Sequence, residues 1–223
     1  MPVTDSHPRL GDSATPEDAG VDERKSDATE KAAAERKQLL TAAMEVLQRS
    51  GWWGFKVESV LRQAGLSTRS FYRHFEKKND LLLALLEHEV GGAAINLRRV
   101  TAAADTPSDK VRAYVAAIID LAYSADLMKP SALFASHWRE LLPEYPQAID
   151  RSTRWMLAPL VEAITEGHAN GEFLTEDPTA DGWAIFYLVS AITADQAAIG
   201  GSISRADFEH IVMPFISRAI GLR

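Results

Sequence analysis

The chain has 223 residues, no cysteine, 46% apolar residues and a formal net charge of −7. Disulfides, a thiol nucleophile and a cysteine-ligated zinc site are therefore excluded, while the apolar content suffices for a real core in one large domain or two small ones. No basic segment followed by an apolar run opens the chain and no stretch reaches about 18 uninterrupted apolar residues, so a cytoplasmic protein with no membrane partner is expected.

Residues 1–28 hold Pro2, Pro8, Pro16, Gly11, Gly20 and many Asp, Ser and Thr residues, with little to bury. The expectation is a disordered acidic tail. A helix over 30–50 follows, with Leu39, Leu40, Ala43, Met44 and Leu47 on one face.

The stretch 54–81 is the most specific in the chain. Val57, Val60, Leu61 and Ala64 recur at helical spacing, and Gly65 stands where that short helix must end. Ser67 is a natural N-cap for a second short helix over 68–75, in which Phe71 and Phe75 lie four apart as core anchors. Thr68, Arg69, Ser70, Tyr72, Arg73 and His74 occupy the rest of that helix, and Lys78 follows. Two helices in a tight turn, the second rich in hydrogen-bonding and basic side chains, suit the DNA major groove. Charge supports this reading. Residues 30–80 carry a net +4, against −4 for residues 1–29 and −7 for residues 81–223. A locally basic segment in an acidic chain is the footprint of a module that meets phosphates.

Gly65-Leu66-Ser67, Phe71-Tyr72-Arg73-His74-Phe75, Lys78 and Leu81 together resemble the signature of the TetR/AcrR family of bacterial repressors. The pattern there runs Gly-x-Ser-x-x-x-(aromatic or Leu)-Tyr-x-(His or Tyr)-Phe-x-x-Lys-x-x-Leu, and the resemblance covers roughly residues 33–84. Two positions depart from it. Lys56 stands where a capping Thr is usual, and Leu61 where Ala is most frequent. The lysine retains a charge for phosphate but loses the capping hydroxyl.

Beyond residue 80 the chain reads as helix after helix, near 79–103, 107–125, 130–142, 146–168, 178–199 and 204–221. Asn79 is the expected cap of the first, Pro107 or Ser108 opens the next, and Pro130, Asp177-Pro178 and Gly200-Gly201 mark later boundaries. Gly91-Gly92 in the fourth helix of the chain provide either a bend or a close helix–helix approach. Pro159, inside the seventh, removes a backbone hydrogen bond and should kink it. Tyr114, Phe134, His137, Trp138, Trp155 and Met156 are the candidates for a small-molecule site, since they combine bulky apolar surface with polar tips, with core packing the alternative for each. The eighth helix is apolar on most sides and the last shows a broad apolar stripe. Trp183, Phe186, Tyr187, Phe208, Ile211 and Phe215 are accordingly expected at a two-fold homodimer interface, the alternative being burial within one subunit.

The fold class expected is all-α, with a disordered acidic tail over 1–28, a helix-turn-helix DNA-binding domain over 29–80, and a helical effector-binding and dimerisation domain over 81–223. The expected DNA contacts are Arg69 and Arg73 to guanine or phosphate, and Thr68 and Ser70 to bases. Lys56, Tyr72, His74 and Lys78 are assigned to phosphates, and Ser67 to the same face. No His-Glu-x-x-His, Gly-x-x-x-x-Gly-Lys or Gly-x-Ser-x-Gly motif occurs, so neither an enzyme nor a cofactor or metal is expected. The resemblance implies a homodimeric repressor, released from a near-palindromic double-stranded operator by a small apolar or amphipathic effector. The alternative is a helical dimer that binds DNA or protein without an effector.

Overall fold

Proline, glycine and capping residues divide the chain into helices, and every regular element among the described residues is helical. The structure, a computed structural model, describes residues 16–123, 133–134, 137–199 and 203–222. The α-helices are α1 (Pro16–Gly54), α2 (Val57–Ala64), α3 (Thr68–His74), α4 (Lys78–Ala102), α5 (Pro107–Tyr123), α6 (Pro146–Ala169), α7 (Pro178–Ile199) and α8 (Arg205–Ala219). No helix of the described residues is long and apolar enough to cross a membrane.

Local chemistry sets the boundaries. Thr106 Oγ1 accepts from Asp109 N at 3.1 Å ahead of α5, Asp177 Oδ1 accepts from Thr179 N and Ala180 N at 3.0 Å ahead of α7, and Ser204 Oγ accepts from Asp207 N at 3.1 Å ahead of α8. Each satisfies amide groups that a helix start leaves unpaired. Helix α1 is interrupted at Gly51, whose φ of 69° and ψ of 177° are outside the helical region.

Three expectations need correction. Residues 16–28, expected without structure, form the first turns of α1; residues 1–15 lie outside the described residues. Absence of an apolar face pointed to disorder there. Yet Pro16, the acids Glu17 and Asp18 at the positive helix end, and the Ala, Glu, Lys and Arg that follow all favour helix locally. Asn79 does not cap α4. Asp80 Oδ2 accepts from Glu76 N and Lys77 N, each at 3.0 Å, and Asn79 instead donates to Glu144 at 2.7 Å. Of the helix expected over 130–142, residues 130–132 and 135–136 lie outside the described residues, and its end is a 3-10 turn, Trp138–Glu140, followed by the buried Leu141. The stop expected at Gly200-Gly201 also lies outside them.

Two apolar clusters hold the helices together. The first joins α1, α2, α3 and the start of α4, and it includes Phe134, Leu141 and Ile149. The second joins the end of α4 at Leu97 to α5, α6, α7 and α8. The first cluster thus does not stop at residue 80: Leu81, Leu82, Leu85 and Leu86 are all within it.

The adjacent glycines of α4 play different parts. A β-carbon on Gly91 would lie 3.2 Å from the Trp155 ring of α6, so Gly91 permits a close approach, whereas one on Gly92 would meet nothing within 4 Å. Gly167 in α6 is tighter still, because its β-carbon would fall 2.2 Å from the buried Phe173 ring. Gly167→Ala should therefore destabilise the protein by about 1–3 kcal/mol through overpacking. Gly92→Ala should stabilise it by up to about 1 kcal/mol through helix propensity. Urea unfolding of both variants checks this pair; equal shifts in one direction contradict it.

Candidate functional site

The turn between α2 and α3 is built as its residues require. Gly65 takes φ 64° and ψ 28°, a left-handed conformation that ends α2, and its N–H bonds to Leu61 O. Gln38 of α1 donates to Ala64 O at 2.6 Å, satisfying another terminal carbonyl. Ser67 caps α3 by accepting from Ser70 N at 3.1 Å, while Lys56 precedes α2 without a side-chain cap. Phe71 and Phe75 are buried with ring centroids 5.7 Å apart and anchor α3 to α1 and α2.

This anchoring sorts the side chains of α3 into two faces. Thr68, Arg69, Tyr72 and Arg73 are exposed, as are Lys56 and Ser67 nearby. Ser70 faces inward: it is buried and its hydroxyl lies 3.1 Å from that of Ser67. His74 also faces inward, its side chain 8% exposed and 3.3 Å from Glu35 of α1. These are two corrections. Ser70 and His74 lie on the Phe71–Phe75 side of a seven-residue helix, so helical rotation turns them from a groove toward α1. Glu35 also holds Arg73 at 2.8 Å. The His74 hydrogen bond, then the Arg73 charge, keep the Glu35 carboxyl below its ordinary value against a desolvation effect. Glu35 is a positioning residue that sequence reading missed, since its partners are far along the chain. Among the described residues, none forms an ion pair with Arg69 or Lys56, and Lys78 lies 5.9 Å from the centre of the Phe55 ring.

Immediately after α3, the start of α4 is gripped by residues distant in the sequence. Glu144 pairs with Lys77 and accepts from Asn79, and the Tyr145 hydroxyl donates to Asp80, the residue that caps α4. Lys77 also lies 5.7 Å from the Tyr145 ring centre. The Lys77 bond, then the Asn79 bond, hold the Glu144 carboxyl below its ordinary value. The neighbouring segment reaches α1 as well: the His137 ring stacks on Trp52 at 5.3 Å, and Phe134 meets Trp52 edge-on at 6.0 Å.

That segment also borders an open-sided cavity of about 360 Å³ lined by α4, α5, α6 and α7 as well. Phe134, Trp138 and Met156, three of the expected ligand residues, line it. The other three do not. Tyr114 is fully buried and donates to Met156 O at 3.1 Å, and burial pushes its hydroxyl pKa up. His137 is occupied by Trp52 and by Leu133 O at 2.9 Å. Trp155 packs on Gly91 from an exposed position. In each case the helical rotation, invisible without partners, turns the side chain away from the cavity.

Sequence reading missed polar lining residues, notably Glu89, Arg139 and Thr193. Glu89 is the most informative. It follows Leu82, Leu85 and Leu86 and precedes Val90 and Ala93 in the apolar stripe of α4. An acid in that stripe was the available signal. Glu89 is half-buried, and desolvation raises its carboxyl pKa against a smaller opposing effect of His88. No hydrogen bond or ion pair joins it to another described residue. The Thr193 hydroxyl is buried and has no hydrogen-bond partner among the described residues.

The expected dimer residues divide similarly. Phe186 and Phe208 are buried within the chain itself, in the cluster with α5 and α6, and this corrects their assignment to a surface between subunits. Tyr187, Ile211 and Phe215 are exposed by about half, and Trp183 is half-buried with its ring stacked on Tyr187 at 5.5 Å.

Comparison with known proteins places this geometry. Residues 39–85 match the family model described as bacterial regulatory proteins, tetR family. The HTH-type transcriptional regulator BetI of Burkholderia mallei is 35% identical over 103 residues, which are 45% of this chain and 53% of that protein. The chain thus spans about half the length of the curated relatives it matches. Among solved structures, a TetR-family transcriptional regulator from Mesorhizobium loti shares the fold with a TM-score of 0.67 at 19% identity, over 85% of this chain and 96% of that one. The regulator FadR of Bacillus subtilis, solved with stearoyl-CoA, gives 0.68 at 21% identity over 82% and 98%. The helix-turn-helix signature and the all-helical fold agree: residues 39–85 carry the helix-turn-helix of the TetR family of bacterial regulatory proteins, in a chain that shares the fold of solved TetR-family regulators.

Proposed function

We propose that the protein is a cytoplasmic transcription regulator that binds double-stranded DNA as a homodimer and is released by a small apolar or amphipathic effector. Residues 29–80 form its DNA-binding part, and residues 81–223 its effector-binding and dimerisation part. The observation that carries this reading is the outward face of α3, where Thr68, Arg69, Tyr72 and Arg73 are presented together by a helix pinned from behind through Phe71 and Phe75. In the major groove Arg69 reads guanine, Thr68 contacts a neighbouring base, and Tyr72, Lys56 and Lys78 meet phosphates. Arg73 is shared with Glu35 and orients α3 as much as it contacts DNA.

The dimer uses the exposed apolar side chains of the last two helices, Tyr187, Ile211 and Phe215, with Trp183 at the edge. Pairing them about a two-fold axis gives two copies of α3 for the halves of a near-palindromic operator. The effector occupies the cavity. Support comes from Phe134 and residues 137–145, which border the cavity through Phe134, Trp138 and Arg139 and grip the start of α4 through Glu144 and Tyr145. A ligand that displaces this segment also displaces the helix that follows α3. FadR, a solved protein of the same fold, holds stearoyl-CoA.

Selection of genomic fragments by the purified protein at physiological salt should recover a short inverted repeat; weak, salt-sensitive binding with no shared motif would remove the operator reading. On that repeat, Arg69→Ala should cost about 1–3 kcal/mol and relax preference at one base pair in each half. A uniform loss over all sequences would make Arg69 a phosphate contact instead. Sedimentation should give twice the 24.5 kDa of one chain, and Phe215→Glu should reduce it to a single chain. A single-chain mass for the unaltered protein would overturn the dimer.

A further inference from the structure

The cavity contains an unmet electrostatic requirement. Its lining is mainly aliphatic and aromatic, with Phe134, Trp138, Phe186 and Tyr187 around it, yet α4 delivers the Glu89 carboxyl into the same wall. No described residue donates a hydrogen bond to that carboxyl or pairs with it. A half-buried carboxyl without a partner is costly to ionise, and a donor or a positive charge beside it recovers that cost. The second observation is independent. Thr193 on α7 also borders the cavity, and its hydroxyl has neither solvent nor a described hydrogen-bond partner. Buried polar atoms are normally satisfied, so this orphan adds a second unmet polar group beside the cavity, one that a ligand atom reaches only if the lining shifts.

The one basic group among the described residues of the wall does not reverse this reading. Arg139 is exposed, and its guanidinium lies 4.9 Å from the centre of the Trp138 ring. It is already solvated and stacked, so it leaves no unmatched positive charge in the interior.

We infer that the ligand of this cavity is a hydrophobic amine, its ammonium group seated against Glu89 and its apolar body among the aromatic side chains. This rests on the cavity being the effector site, and adds the sign of the effector's charge. The aromatic faces near the cationic head add attraction through their quadrupoles.

Three probes of equal chain length separate charge from apolar burial: decylamine, decanol and decanoate. Each is titrated into the full-length protein, below its aggregation concentration, by calorimetry and by thermal shift. Decylammonium should bind tightest and decanoate weakest. Glu89→Gln should weaken decylammonium by about tenfold or more while leaving decanol unchanged, because only the charge-assisted contact is lost. Glu87→Gln, which neutralises an exposed acid on the same helix, should change neither. Tighter binding of decanoate than of decylamine, or an unchanged amine affinity in Glu89→Gln, would overturn the inference. Since Glu89→Gln removes an unpaired half-buried acid, its melting temperature without ligand should be equal or higher, which separates lost binding from lost folding. The effector reading fails separately. If none of the three probes binds, the cavity is no ligand site and both proposals fall. If decylamine binds through Glu89 but DNA affinity does not change, the ligand class stands and its regulatory role falls.

Discussion

Helix α4 is built into both apolar clusters, and the arrangement of the molecule depends on that sharing. Its first turns carry Leu81, Leu82, Leu85 and Leu86 into the cluster under α1, α2 and α3, and Leu97 belongs to the cluster formed by the later helices. Close-packed interiors do not deform continuously. A shift at one end of α4 is therefore felt at the other, and the short α3 moves with the cluster that holds Phe71 and Phe75. Gly91 contributes by letting α6 approach α4 through Trp155.

The polar groups around the start of α4 act on the same helix from outside. Asp80 does two jobs: it caps the helix through Glu76 N and Lys77 N and accepts from the Tyr145 hydroxyl. Glu144 collects Lys77 and Asn79. Individually such exposed contacts contribute little to stability. Their importance is positional, since they tie a segment that borders the cavity to the residues immediately after α3. The same division holds for Glu35, which orients α3 through Arg73 and His74.

Much of the helix-turn-helix was legible in the residues because its signals are local. Gly65 requires a left-handed turn, Ser67 caps within three residues, and the spacing of Phe71 and Phe75 assigns one face to the core. The faces adjoining that stripe were less legible. Ser70 and His74 look like groove-facing polar residues until the tilt of α3 against α1 is known, and Glu35 then accounts for His74. The tail expectation erred in the opposite sense: local propensity extends α1 back to Pro16, where burial alone argued for no structure.

For the later helices, composition and periodicity determined that they are helices and roughly where they begin and end, because caps, prolines and apolar spacing act over a few residues. Which side of each helix faces a core, a cavity or water was decided only by the tertiary structure. Phe186 and Phe208 turned inward, Tyr187, Ile211 and Phe215 outward, and Glu89 into a cavity wall. A helix such as α7, apolar on nearly every side, carries no single stripe to set its rotation. Its orientation follows from the volumes of partners distant in the chain, and that information exists only once the helices have packed.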